Sequence, residues 1–309
     1  MIPCRAVEQT IFAIVGPTAS GKTDVALGVA ERLGAEIVSC DSMQLYREFD
    51  VGTAKPSAEE RARVRHHLVD LLPPDESYSA ARYAVDADRA IAGIVARGRR
   101  VLVVGGTGLY LRALRFGLFA APPRDDALRE RLLDEEARTS GILHLKLRAV
   151  DPRAAQRIAP ADLVRLVRAL EVHALTGVPI SEHHARHRQS LAEPRHPIEV
   201  LLLDPPRDRI EARIAARVDV MLAGGLVDET RRIRKQWGSE VAGLQSVGYA
   251  EVCQLLDGKL AASALPDAIF RATRRYARRQ RTWFNKEPGA HRFANPDELG
   301  RAIDAGCRP

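Results

Sequence analysis

The sequence predicts an α/β fold: a P-loop parallel-sheet domain with helices on both faces, carrying a helical insertion domain. Short, wholly apolar runs alternate with helical periodicity over the first third of the chain, the pattern of strands buried on both faces of a parallel sheet. A glycine-rich phosphate-loop pattern joins the first such run to the first helical stretch. Strand patterns then stop from 118 to 196 and resume at 198. Residues 1–117 and 197–309 are accordingly assigned to the core, and 118–196 to the insertion.

In chain order, IFAIV (11–15) reads as a buried strand, and 23–33 as a helix stopped by Gly34. EIVSCD (36–41) is a second strand, 79–97 a long helix closed by Gly98, and VLVV (101–104) a third strand. Pro122 and Pro123 break this alternation. Helical stretches follow at 125–139, 151–158 and 162–176, the last with Gly177 at its end, while 183–197 reads as a polar, basic loop or ragged helix. IEVLLLD (198–204) restores a strand. Helices at 207–222, 226–237, 247–256 and 266–284 precede a short strand at 291–293.

Length and composition suit a globular protein with a real core: 309 residues, 46% hydrophobic and 28% charged. Aromatics are 5%, so Leu, Val, Ala and Ile must fill the interior. Lys and Arg number 47 against 40 acids, a formal +7 with a pI near 9.5, which points to a polyanionic partner. Cys4, Cys40, Cys253 and Cys307 are scattered without a C-x-x-C pair, which argues against a disulfide scaffold or a zinc site and suits a reducing cytoplasm. No run of about 18 apolar residues marks a membrane span, and residues 1–10 show no signal peptide.

Gly16-Pro17-Thr18-Ala19-Ser20-Gly21-Lys22-Thr23 fits G-x-x-x-x-G-K-[ST] in its required strand–loop–helix setting. The glycines let backbone N–H groups turn toward phosphate oxygens, and the helix N-terminus adds partial positive charge. Lys22 neutralises phosphate, and Thr23 is placed to bind Mg²⁺. An NTP hydrolase usually ends a core strand with an acid that helps hold the metal. Here VLVV ends in Gly105-Gly106-Thr107-Gly108, and the acid stands after the second strand as Asp41. Ligands bind beyond the carboxyl ends of parallel strands, so Asp41, Thr107 and the P-loop should face one crevice. At that place Asp41 is a base, a metal-linked group or the N-cap of the turn at Ser42.

Arg213 and Arg217 lie one helical turn apart and share a face. Arg271, Arg274, Arg275 and Arg278 cover one face of the 266–284 helix, with Ile269, Ala272, Tyr276 and Trp283 opposite as core. An arginine face without interleaved acids suits phosphate contact, against the ordinary alternative of a solvated surface. His173, His183, His184 and His187 lack a third metal ligand of another type and read as an exposed or RNA-proximal basic segment.

GPTASGKT, SCDSMQLY, DVGTAKP (50–56), GGTGLYLRAL (105–114) and RRQRTWF (278–284) occur in one order, and together they resemble the tRNA dimethylallyltransferase family, bacterial type, over about residues 11–294. The P-loop is shared by many families; DSMQLY with GTAKP is far more specific. The resemblance implies transfer of dimethylallyl from dimethylallyl diphosphate to N6 of the adenine just 3′ of the anticodon in tRNA. It places the donor diphosphate on residues 16–23 and Arg213, the chemistry on Asp41, Thr107 and Arg217, and Mg²⁺ on Thr23. It places the tRNA anticodon loop on Asp41, Ser42, Met43, Gln44, Arg165, Arg168, Gln245, Gly248, Tyr249, Arg274, Arg278, Arg279, Gln280, Arg281 and Trp283, with the insertion gripping the RNA. The family usually has a basic residue where Ala250 stands, and an RIHPND-like segment where Ala159 and Ala161 stand. The eukaryotic zinc-finger extension is not read here. A cytoplasmic monomer is expected.

Overall fold

The computed structural model describes residues 10–119, 121–190 and 194–306. Cys4, Cys307, the N-terminal residues 1–9 and part of the basic stretch at 183–197 therefore lie outside the described residues. The chain forms two compact units, one running through Arg115 and resuming at Arg195, the other Phe116–Pro194.

The first unit is built on strands β1 (Ile11–Val15), β2 (Ala35–Cys40), β3 (His66–His67) and β4 (Arg100–Gly105), alternating with helices α1 (Lys22–Leu33), α2 (Ala58–Arg63) and α3 (Ala80–Ala96). Helix α4 (Gly108–Phe116) follows β4. The second unit holds α5 (Asp126–Arg138), α6 (Ile142–Val150), α7 (Pro152–Ala155), α8 (Leu163–Thr176) and α9 (Ile180–Ser190). The first unit resumes with β5 (Ile198–Leu203), α10 (Arg207–Ala223), α11 (Leu226–Trp237), α12 (Tyr249–Leu256), α13 (Leu265–Phe284), β6 (Ala290–Phe293) and α14 (Pro296–Asp304).

The strands form one parallel sheet in the order β3-β2-β4-β1-β5-β6. Every residue of β1 is buried because the pleat sends Ile11, Ala13 and Val15 into one core and Phe12 and Ile14 into the other. Val200 and Leu202 of β5 divide from Leu201 and Leu203 in the same way. Residues of α1 and α14 close one face, and residues of α3, α4, α10 and α13 close the other. Truncating such a side chain, for example Ile14→Ala, removes packing on a fully buried strand and costs about 2–5 kcal/mol.

The second unit has its own apolar core of Leu132, Leu143, Leu147, Leu166 and Leu170. One of its buried charges is Glu171, whose carboxylate accepts hydrogen bonds from Arg129 at 2.7 and 2.9 Å, from the Asp125 N–H at 2.9 Å and from Arg168. Burial pushes the Glu171 carboxyl up, but Arg129, that N–H and Arg168 outweigh it and hold the group at about 2. The stretch expected as a loop or ragged helix at 183–197 is helical through Ser190. Its His183 stacks on Phe119 at 5.2 Å and lies 3.2 Å from the Thr176 hydroxyl, so that histidine serves packing. The helix expected over 151–158 shortens to α7, whose N-cap Asp151 accepts the Ala154 N–H at 3.0 Å and the Ser181 N–H at 2.8 Å.

Candidate active site: the P-loop and the carboxyl ends of β2 and β4

The P-loop leaves the end of β1 at a point where only glycine fits. A Cβ on Gly16 would stand 2.4 Å from the Leu203 carbonyl of the neighbouring strand. Gly21 opens α1 at φ 91°, and Ala19 is held at φ 63°, a left-handed conformation unfavourable for an L-residue. Several contacts fix the loop. The Ser20 N–H bonds Pro17 O at 3.2 Å, Arg213 of α10 donates to Ser20 O at 2.6 Å, and Lys22 Nζ reaches Pro17 O at 3.3 Å. The Ser20 hydroxyl is fully buried and has no hydrogen-bond partner among the described residues, an orphan that an anion's oxygen would satisfy.

Cations gather at this loop without carboxylate neighbours close enough to pair. Among the described residues, Lys22, Arg213 and Arg217 form no ion pair, although Asp41 lies within electrostatic reach of both Lys22 and Arg217. Lys22 is not sealed from solvent on every side, yet burial lowers its ammonium to about 8; Asp41 pulls it up and Arg217 down. Burial likewise lowers Arg217, against the pull of Asp41, Tyr276 and Tyr249. Such a cluster is costly by itself and favourable once a polyanion arrives.

Asp41 follows β2 directly. Its Oδ1 accepts from Met43 N at 2.8 Å and Gln44 N at 3.4 Å, so the N-cap reading is correct. Its Oδ2 makes no hydrogen bond among the described residues, so one oxygen anchors the turn and the other is left unbonded. Thr107, just beyond β4, accepts from the Ser42 N–H at 3.0 Å, and its own N–H bonds Cys40 O at 3.1 Å. Its hydroxyl proton points to Ser42 Oγ at a weak 3.4 Å. Met43 packs partly into the core, and Gln44 donates to Ala54 O at 3.3 Å while accepting from Ser39 Oγ at 3.2 Å. Asp41, Thr107 and the P-loop therefore follow the carboxyl ends of β2, β4 and β1, as expected. Cys40 stands beside them, but burial pushes its thiol up to about 12, which makes it inert.

Thr23, the second residue of α1, forms no protein hydrogen bond through its hydroxyl among the described residues. No group of three His, Cys, Asp or Glu among those residues could hold a metal unaided. These side chains fit magnesium as an ion carried on a diphosphate and touched by one hydroxyl, the usual manner of magnesium at phosphate sites.

Several residues expected at the RNA have interior work instead. Tyr249 is fully buried, donating to Glu229 at 2.5 Å and accepting from the Gly52 N–H at 3.1 Å. Gly248 is buried at φ 95° and its N–H is capped by Glu251 at 2.8 Å. Gln280 is 7% exposed; it accepts from Thr18 N at 2.8 Å and donates to Gly106 O at 2.9 Å. Arg281 pairs with buried Asp204 at 2.6 Å and donates to Pro205 O at 3.2 Å. Trp283 is half-buried against the core, filling the space over Gly108, with Arg112 above its ring at 5.0 Å. In the second unit Arg168 is spent on Glu171 and on Pro122 O at 3.1 Å, and exposed Arg165 pairs with Asp162 at 2.9 Å. Gln245, Arg274, Arg278 and Arg279 remain exposed. Arg274 and Arg278 line a groove of about 340 Å³ with Arg207 and Glu211 between α10 and α13.

The sequence reading missed Glu229. This buried carboxylate accepts the N–H groups of Val51 at 3.0 Å and Gly52 at 3.4 Å and so holds the DVGTAKP loop. Its position in the first turn of α11, next to buried Thr230, was the one available signal. Gln280 could have been placed by helical phase, since it falls between Ala277 and Phe284 on the buried stripe of α13.

Among known proteins, the family described as IPP transferase matches residues 44–287, and the one described as isopentenyl transferase matches 9–76. The tRNA dimethylallyltransferase of Anaeromyxobacter sp. (strain Fw109-5) is 50% identical over 300 residues, covering 96% of this chain and 99% of that protein. That of Myxococcus xanthus is 46% identical over 308 residues, covering 98% of each. The crystal structure of the full-length tRNA isopentenylpyrophosphate transferase from Bacillus halodurans superposes with a TM-score of 0.69 at 34% identity, covering 97% of both chains. A eukaryotic dimethylallyltransferase acting on tRNA gives 0.73 at 27% identity, covering 89% of this chain and 70% of that one. Sequence and fold agree, and the chain belongs to the IPP transferase family, the tRNA dimethylallyltransferases.

Proposed function

We propose that this chain transfers a dimethylallyl group from dimethylallyl diphosphate to N6 of the adenine just 3′ of the anticodon in tRNA, releasing diphosphate. The observation that carries this reading is the pairing, at one end of the sheet, of a cation-lined P-loop with a carboxylate that keeps one oxygen unbonded.

An exocyclic amine is a weak nucleophile, and the reaction depends on an allylic carbon that tolerates positive charge as diphosphate departs. The N6–C1 bond forms, the C1–O bond breaks with its electron pair leaving on diphosphate, and N6 loses a proton. Lys22, Arg213, Arg217 and the P-loop N–H groups receive the diphosphate and stabilise its growing charge. The desolvated setting of Lys22 and Arg217 strengthens their contacts. Thr107 turns its hydroxyl proton from Ser42 Oγ to the leaving oxygen. Asp41 accepts the N6 proton through the oxygen that its turn leaves unbonded. Thr23 and the donor's own oxygens would hold magnesium, which would add positive charge beside the leaving group. The adenine lies in a loop, so extruding it from its neighbours costs little, and Arg274, Arg278 and Arg279, all exposed, hold the RNA backbone.

Among the described residues no helix is long and apolar enough to cross a membrane. We place the reaction in the cytoplasm, with tRNA, and assign the work to a monomer because a single chain supplies every group named.

The test mixes purified protein, Mg²⁺ and dimethylallyl diphosphate with unmodified tRNA or with AMP, and reads nucleosides by mass spectrometry. A five-carbon addition to the tRNA adenine, absent on AMP, is expected. Addition to AMP alone would make the chain an adenylate-modifying enzyme, and addition to neither would discard the donor.

A further inference from the structure

Gln280 sits among arginines that face solvent, yet its amide is turned inward and both of its ends are used by the donor site's backbone. The carbonyl oxygen takes the Thr18 N–H of the P-loop at 2.8 Å, and the amide nitrogen gives a hydrogen to Gly106 O, beyond β4, at 2.9 Å. Only a side chain with an acceptor and a donor at this reach satisfies both partners; Glu lacks the donor, and Asn is one methylene short. The fit is close on the other side too. A Cβ on Gly106 would stand 2.3 Å from Gln280 Nε2 and 3.4 Å from Gly16 O.

The P-loop needs such a tie. Ala19 holds φ at 63°, and a strained residue persists only where its surroundings fix it. Gln280 fixes the backbone just before Ala19, and Arg213 fixes it just after, at Ser20 O. Thr18 and Gly106 are both buried, so without Gln280 their polar groups would find no water.

We propose that Gln280 is a positioning residue for the donor: by holding Thr18 and Gly106 together it sets the P-loop in the shape that receives diphosphate. This rests on the reading of the P-loop as the diphosphate site. It also replaces an RNA contact for Gln280 with a role that acts through the loop.

Gln280→Met keeps length and volume and removes both hydrogen bonds. Binding of inorganic pyrophosphate and of tRNA would be measured separately on the folded variant, by calorimetry and by fluorescence titration. Pyrophosphate affinity should fall about tenfold to a hundredfold, the cost of buried polar groups left unpaired. Affinity for tRNA should not change, and in turnover the donor KM should rise while the tRNA KM stays put. Gly106→Ala, which displaces Gln280 from the opposite side, should reproduce the loss and decides the matter if Gln280→Met does not fold. Unchanged pyrophosphate binding in either folded variant, or a loss confined to tRNA, would overturn the proposal. Wild-type protein that bound no pyrophosphate would overturn the diphosphate reading itself, and is told apart because it fails before any substitution is made.

Discussion

The P-loop region and the helical insertion both concentrate positive charge, and they treat it in opposite ways. In the insertion, Arg129 and Arg168 converge on the buried carboxylate of Glu171, and Arg165 pairs with Asp162. At the P-loop, Lys22, Arg213 and Arg217 form no ion pair among the described residues, and burial lowers two of them. A buried carboxylate matched by arginines has its desolvation cost offset within the fold, whereas Lys22 and Arg217, desolvated and left unpaired, carry a cost that a bound anion removes.

The largest expected effect lies at Asp41, the carboxylate near those cations among the described residues. Asp41→Asn keeps the oxygen that caps Met43 and Gln44 but loses the base, so kcat should fall about 10²–10⁴-fold while pyrophosphate still binds. Near-normal single-turnover rates would remove Asp41 from proton transfer and leave it a structural cap. Next is the carboxylate that closes the insertion. Glu171→Ala leaves Arg129 and Arg168 without their partner and should cost about 3–5 kcal/mol in chemical denaturation. A cost near zero would mean that the two regions do not differ as described.

A third experiment titrates the P-loop. Burial depresses Lys22 to about 8, so at higher pH the empty site holds a neutral amine, and a bound diphosphate restores the ammonium. Binding of dimethylallyl diphosphate should therefore take up a proton above about pH 8, and affinity should fall by up to about tenfold per pH unit from there toward the ordinary lysine value of 10.5. Calorimetry in buffers of different ionisation enthalpy reads the proton directly; flat affinity from pH 7 to 10 would show that Lys22 is not desolvated. The smallest effect belongs to the surface. Arg274→Ala with Arg278→Ala should weaken tRNA binding modestly and flatten its log–log salt slope by about 0.7–0.9 for each phosphate no longer neutralised. An unchanged slope would move the RNA off that groove.

Much of the scaffold was readable from periodicity. The residues of β1 and α11 coincide with the expected 11–15 and 226–237, and Gly34 and Gly177 end their helices in the left-handed conformation. The missing elements had ambiguous patterns. In α6, the leucines at every second position of ILHLKLRAV obscure the helical period: Leu143 and Leu147 are buried one helical turn apart while Leu145 is 58% exposed. Helix α4 starts on Gly108, hidden behind a glycine-rich motif, and α2, β3 and α14 are short.

The sequence by itself determined the phosphate loop, the parallel sheet that displays it, and the carboxylate beside it, because those depend on local spacing and on residue chemistry at strand ends. Only the tertiary structure decided which polar side chains of the motifs face a ligand and which face the protein. Gln280 meets Thr18 across 262 residues of chain, and Glu229 meets Val51 across 178. Desolvation and hydrogen-bond satisfaction are properties of a place in space, and helical phase narrows them to a face without naming the partner.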